Sequence, residues 1–120
     1  MTDIARIATN VRCGRAVIYN RVVYLGGMVA DDRTGDIEAQ TRQALAKVDA
    51  ALALAGTDKS RLLTAQIWLS NIARDFAGMN IVWDAWVEAD ALPARATAEC
   101  ALGAPGGLVE IIVTAATHEG

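Results

Sequence analysis

Two stretches with the apolar spacing of amphipathic helices, 37–55 and 75–87, are separated by a single period-two run, and this order most constrains the fold. In the first, Ile37, Ala44, Leu45, Val48, Ala51, Leu52 and Ala55 fall on one helical side; Asp36 or Thr34 is placed to cap it, and Gly56 to stop it. In the second, Asp75 is placed as the cap, and Phe76, Met79, Asn80, Trp83, Trp86 and Val87 share a side. Between them Leu63, Ala65, Ile67 and Leu69 alternate with Thr64, Gln66 and Trp68, the pattern of a strand. Before the first helix, Ala16–Tyr19 and Val22–Leu25 flank Asn20-Arg21 as a tight β-hairpin, and Gly26-Gly27 closes its second arm with room for a bulge or a close approach by a ligand. After Pro93, two more strands are expected at 94–102 and 108–116. The order ββαβαββ predicts an α+β fold, a mixed β-sheet covered on one face by two α-helices. The uncovered face is too apolar for bulk water and predicts assembly.

The chain of 120 residues, 53% hydrophobic and 21% charged, fits a single domain spanning 1–120. A formal net charge of -3 gives no electrostatic reason for DNA binding or adsorption to a membrane. Arg6, Arg12, Arg15, Arg21 and Arg33 crowd the first third, without the aromatic interleaving that single-stranded RNA binding favours. Met1-Thr2-Asp3-Ile4-Ala5-Arg6 lacks the basic start and apolar run of a secretory leader, and no stretch reaches the length of a membrane span. Cys13 and Cys100 are far apart and read as reduced thiols. A cytoplasmic location is expected.

Two charges stand out. Arg95, in Pro93-Ala94-Arg95, and Glu110, in Leu108-Val109-Glu110-Ile111-Ile112-Val113, each interrupt a stretch that otherwise reads as strand. An unpaired buried charge is costly, and an arginine fork matches a carboxylate, so the pair suggests a pocket for an organic acid with acid–base chemistry beside it. If the last two strands form a hairpin with Leu102 opposite Leu108, Arg95 lies opposite Ala115. Glu110 is then on the other face and about 17 Å away, so the two meet only through a neighbouring subunit. The competing readings are a salt bridge from Arg95 to Glu99 and an edge-strand Glu110 reaching solvent. Asn80 on its helix face reads as a cap or an interhelical bond, and Trp68, Trp83 and Trp86 as core or interface. His118 is near the chain end and suits no triad; no metal-ligand spacing is present; and Gly103–Gly107 precedes a strand, so it is no phosphate cradle.

Several of these segments together resemble the reactive-intermediate deaminases, or Rid/YjgF family, over nearly the whole chain. They are Gly26-Gly27, Thr34-Gly35-Asp36 leading into Gln40–Leu45, Ala55-Gly56, Asp75–Asn80, Pro93-Ala94-Arg95 and Val109-Glu110-Ile111. The stretch Asn80–Trp86 is similar to the YoaB-like branch. The resemblance implies a chorismate mutase-like fold and a homotrimer with ligand clefts between subunits. It implies that Arg95 binds the carboxylate of a 2-imino acid and that Glu110 positions water for attack on the C=N carbon. The Gly26 backbone and the Asn80 side chain are further candidate contacts. Cys13 stands where deaminating members carry a tyrosine, Thr97 where a cysteine is frequent, and Leu102-Gly103 where Leu-Pro is common. Arg12, beside Cys13, is expected to add a second cation that favours a more acidic ligand.

The expected activity is that of a 2-iminobutanoate/2-iminopropanoate deaminase-like hydrolase, forming 2-oxo acids and ammonia. No cofactor is implied, because an imine is already electrophilic and mainly needs orientation. The expected partners are a small carboxylate, a 2-imino or 2-oxo acid, and copies of the same chain. The alternatives are a non-catalytic trimer that binds small carboxylates, and an RNA-directed activity, endoribonuclease or translation inhibition, against which the acidic balance weighs.

Overall fold

The computed structural model describes residues 3–118; Met1 and Thr2, which the leader argument uses, lie outside the described residues. The chain begins with a short strand absent from the expected order, β1 (Ala5–Ile7), followed by β2 (Ala16–Tyr19) and β3 (Val22–Leu25). Helix α1 (Ile37–Leu54), β4 (Leu62–Leu69), α2 (Ile72–Trp86), β5 (Ala94–Glu99) and β6 (Val109–Ala116) complete the fold. The β2–β3 turn is as tight as its sequence requires: Asn20 and Arg21 both take positive φ, 53° and 66°, the geometry that matches the twist of a two-residue hairpin. Asp36 caps α1 by accepting the Ala39 N–H at 2.9 Å, and Gly56, at φ 79°, follows its end.

The strands form one six-stranded sheet ordered β1-β2-β3-β6-β4-β5. Every neighbouring pair is antiparallel except β4 and β5, which run parallel because α2 carries the chain back between them. The expected last hairpin is therefore corrected. β6 does not pair with β5; it pairs with β4 on the inner side, Ala65 opposite Val113, while β4 pairs with β5 on the other, Ala65 opposite Arg95. The chain makes this hop at Leu69 and Ser70: the Leu69 carbonyl accepts the Cys100 N–H, and the Ser70 N–H donates to Leu108.

Alternation sorts each strand into two faces. Val23, Leu25, Ala65, Ile67, Leu69, Val109, Ile111, Val113 and Ala115 are buried beneath the helices with Leu45, Val48, Leu52, Met79 and Trp83. The helices approach closely at Gly78, where a Cβ would stand 2.6 Å from the Ile37 side chain. The opposite face carries Tyr24, Gln66, Trp68, Ala96, Glu110 and Ile112 with no helix over it, and Tyr24 is 46% exposed. Two local expectations are corrected. Leu63 is 43% exposed, because a register shift between Leu62 and Thr64 makes Leu62 the inward residue. Asn71, not Asp75, caps α2; Asp75 lies inside the helix, buried, held by both arms of the Arg74 guanidinium at 2.9 and 2.8 Å.

Candidate functional site

Arg95 is on β5, an edge strand, and its row in the sheet, Ala65 and Val113, belongs to the helix-covered face. The guanidinium thus meets α2 rather than open solvent. Its Nη1 donates to Asn80 Oδ1 at 2.8 Å, and its carbon stands 5.4 Å from the centre of the Trp83 ring. Among the described residues Arg95 forms no ion pair; Glu99, the expected partner, accepts the Ile72 N–H at 2.9 Å at the start of α2 instead. One amide oxygen uses one of the five N–H donors of the fork, which leaves a two-pronged edge for a carboxylate. A pocket of about 430 Å³ opens here, with Asn80, Trp83, Asp84, Val87, Pro93 and Arg95 in its walls. Thr97 follows Arg95 on the same face; its hydroxyl oxygen is buried and makes no hydrogen bond among the described residues.

Glu110 belongs to the other face. Its row is Trp68 on β4, three positions along and two strands across from Arg95, so about 14 Å separates the two. The opposite-face expectation survives although the pairing behind it does not. Glu110 is also no edge residue, since β6 is flanked by β3 and β4. Its carboxylate lies against Gly27. A Cβ on that glycine would fall 1.9 Å from Glu110 Oε2, so only glycine leaves the carboxylate where it is. The approach depends on a local bulge: Tyr24 pairs with Thr114 and Met28 bridges Ile111, so residues 25–27 oppose only 112–113.

Gly26 and Gly27 also wall a second pocket, of about 170 Å³, together with Asn10, Cys13, Arg15 and Lys47. Asn10 shapes this wall by accepting the N–H groups of Arg12 and Cys13 at 2.7 and 3.0 Å. Arg12 itself is exposed and lies outside the lining of both pockets. Lys47 reaches from α1 to Asp31 at 2.9 Å. Asp31 is held below the usual carboxyl range by its hydrogen bond to Lys47 and by the charges of Lys47, Arg33 and Arg15.

The structure therefore gathers the expected residues into two groups: Arg95, Asn80 and Thr97 around β5 and α2, and Gly26 and Cys13 at the end of β3, with Glu110 against the neighbouring Gly27. A larger cavity, about 460 Å³, lies between α1 and α2 against Leu45, Ala46, Val82 and Trp86 and holds none of them. Trp83, Asp84, Arg15 and Lys47 escaped the sequence reading as site residues. Nothing local singles them out, because Lys47 meets the Gly27 pocket only once α1 docks on the sheet. Among the described residues no group of three or more His, Cys, Asp or Glu side chains could hold a metal ion, and no helix is long and apolar enough to cross a membrane.

Comparison with known proteins follows the same outline. A family model described as endoribonuclease L-PSP matches residues 3–117. The RutC family protein YoaB of Escherichia coli is 41% identical over 113 residues, covering 94% of this chain and 97% of that protein. A 2-iminobutanoate/2-iminopropanoate deaminase from Capra hircus is 30% identical over 103 residues, covering 81% of this chain and 74% of its own. The crystal structure of a YjgF-family protein from Neisseria meningitidis superposes with a TM-score of 0.94 at 41% identity, covering 98% of each chain.

Proposed function

This chain belongs to the YjgF/Rid family that the endoribonuclease L-PSP model describes, and on that premise we propose that it hydrolyses small 2-imino acids to 2-oxo acids and ammonia in clefts between the subunits of a homotrimer. The observation that carries the reading is the Arg95 guanidinium, held by Asn80 and Trp83, with donors to spare at the wall of a pocket. That is a carboxylate anchor. Glu110, on Gly27, is the group that orients water. The two lie on opposite faces of one sheet, so a cleft containing both takes Arg95 from one subunit and Glu110 from the next. The uncovered sheet face and the free edge of β5 supply surface for that contact.

The chemistry asks little of the protein. Arg95 fixes the substrate carboxylate and so aims the C=N carbon. Glu110 accepts a proton from water as its oxygen bonds to that carbon, and the nitrogen is protonated. Collapse of the carbinolamine then breaks the C–N bond, releasing ammonia and leaving the 2-oxo acid. Cys13 and the Gly26 backbone complete the Glu110 side of the cleft, and Asn80 and Thr97 the Arg95 side.

The test supplies imines from an amino-acid oxidase and follows their disappearance with and without the protein. We expect the protein to accelerate it, Arg95→Ala to raise KM by roughly 10- to 100-fold, as loss of a charge-assisted pair does, and Glu110→Gln to lower kcat by about 10²-fold or more. Sedimentation should give three chains per particle. If the imine decays no faster with protein than without, the enzyme reading fails. Stabilisation by 2-oxo acids that depends on Arg95, without turnover, would then identify a non-catalytic carboxylate-binding protein.

A further inference from the structure

We infer that Asp84 is a specificity-determining residue of the Arg95 pocket, and that the preferred substrates are 2-imino acids whose side chain ends in a cation. This rests on the reading above and deepens it by naming the substrate class. Asp84 and Arg95 line one and the same pocket and are its only charged walls. They do not close on each other: among the described residues neither forms an ion pair. The reason lies in α2. Asn80 accepts from the guanidinium at 2.8 Å and the Trp83 ring lies 5.4 Å from it, so Arg95 is held at the level of Asn80, one helical turn before Asp84. Asp84 is exposed, so its charge costs little when no ligand pairs with it.

A ligand carrying both charges joins the two walls. Asn80 and Asp84 are four positions apart on α2, on the same side of the helix, which sets their Cβ atoms about 6 Å apart. A 2-imino acid with a guanidinium at the end of a three-carbon stem spans six bonds from carboxylate carbon to guanidinium carbon, about 7 Å when extended. With its carboxylate on Arg95, its cation reaches Asp84, and its methylenes have Val87, Leu92 and Pro93 to lie against. The volume of about 430 Å³ suits a ligand of this size, whereas a three-carbon imine leaves most of the space to water. A neutral side chain gains nothing from Asp84, and an acidic one is repelled. The reacting carbon stays next to the carboxylate on Arg95, so the hydrolysis is unchanged: water adds to the imine carbon, the C–N bond breaks and ammonia leaves, with no redox step and no part for the distal cation.

The experiment compares kcat/KM for the imines that an amino-acid oxidase makes from arginine and from citrulline, which have the same length and differ only in guanidinium against neutral urea. The arginine imine should be favoured roughly fivefold, the upper range for an exposed ion pair, and the preference should shrink as salt is added. Asp84→Asn should bring the ratio to about one, and Asp84→Glu should keep it above one. A wild-type ratio at or below one, or a ratio that Asp84→Asn leaves unchanged, overturns this inference while hydrolysis of both imines leaves the proposed function standing. If no imine is hydrolysed, the proposed function fails and the pocket is decided by binding alone. The 2-oxo acid of arginine should then raise Tm more than that of citrulline in the wild type but not in Asp84→Asn, and equal shifts overturn it.

Discussion

Gly27 has no side chain, and the Glu110 carboxylate occupies the space one would take. A methyl group there meets only the far end of a flexible side chain, so the carboxylate can swing aside while the backbone stays. Gly27→Ala should therefore lower imine turnover at least about tenfold, approaching Glu110→Gln, while stability changes by less than about 1 kcal/mol. Steady-state kinetics beside a denaturant titration check both halves; a large loss of stability would mean that the glycine serves the β3 bulge and not the carboxylate. Arg95 shows the complementary case, a charge whose setting is made by neighbours. Asn80 takes one donor and Trp83 faces the guanidinium, so the fork is aimed before any ligand arrives.

At the scale of elements, the loops beside the site are tied by one buried side chain. Gln40, in the first turns of α1 and 1% exposed, has its amide nitrogen 3.1–3.3 Å from the carbonyls of Gly35, Gly106 and Arg33, while its carbonyl oxygen accepts the Leu108 N–H at 2.9 Å. It joins the lead-in of α1 to the loop that feeds β6, and so sets where Glu110 enters the sheet. Gln40→Ala leaves these buried backbone groups without partners, and about 2–4 kcal/mol of stability should be lost in urea unfolding. The glutamine was visible in the sequence only as part of a resemblance; its bonds span 66 and 68 positions, which no local pattern encodes.

At the scale of the whole molecule, Asp58 links the turn before β4 to the end of the chain. Its carboxylate accepts the Ser60 hydroxyl, the His118 ring and the Ser60 N–H, which lower its pKa from 3.8 to about 2. A carboxyl whose folded pKa is depressed contributes stability above the unfolded value, and that contribution is lost as protons bind. Between pH 4 and pH 2 the wild type should lose Tm more steeply than Asp58→Asn, the two curves converging at the acid end. Parallel curves would show that the pairing is absent in solution. His118, expected only to lie near a fraying end, thus has a structural partner.

Periodicity and turn residues are properties of neighbours in sequence, and most of them were legible there, although the cap of α2, read at Asp75, is Asn71 and the start of β4 is out of phase at Leu63. Sequence alone gave two helices and their order among the expected strands, a cap at Asp36 or Thr34 of which the structure takes Asp36, the stop at Gly56, the tight turn at Asn20-Arg21 and the anomaly of Arg95 and Glu110. Strand pairing is a competition among distant segments that all read alike, and only the tertiary structure decided it. β6 lies between β3 and β4, while α2 carries β5 to the far edge of β4. The same docking sent Arg95 towards α2, left Glu110 on the uncovered face and brought Lys47 to the glycine pair, since side chains from separate elements become neighbours only when their faces pack.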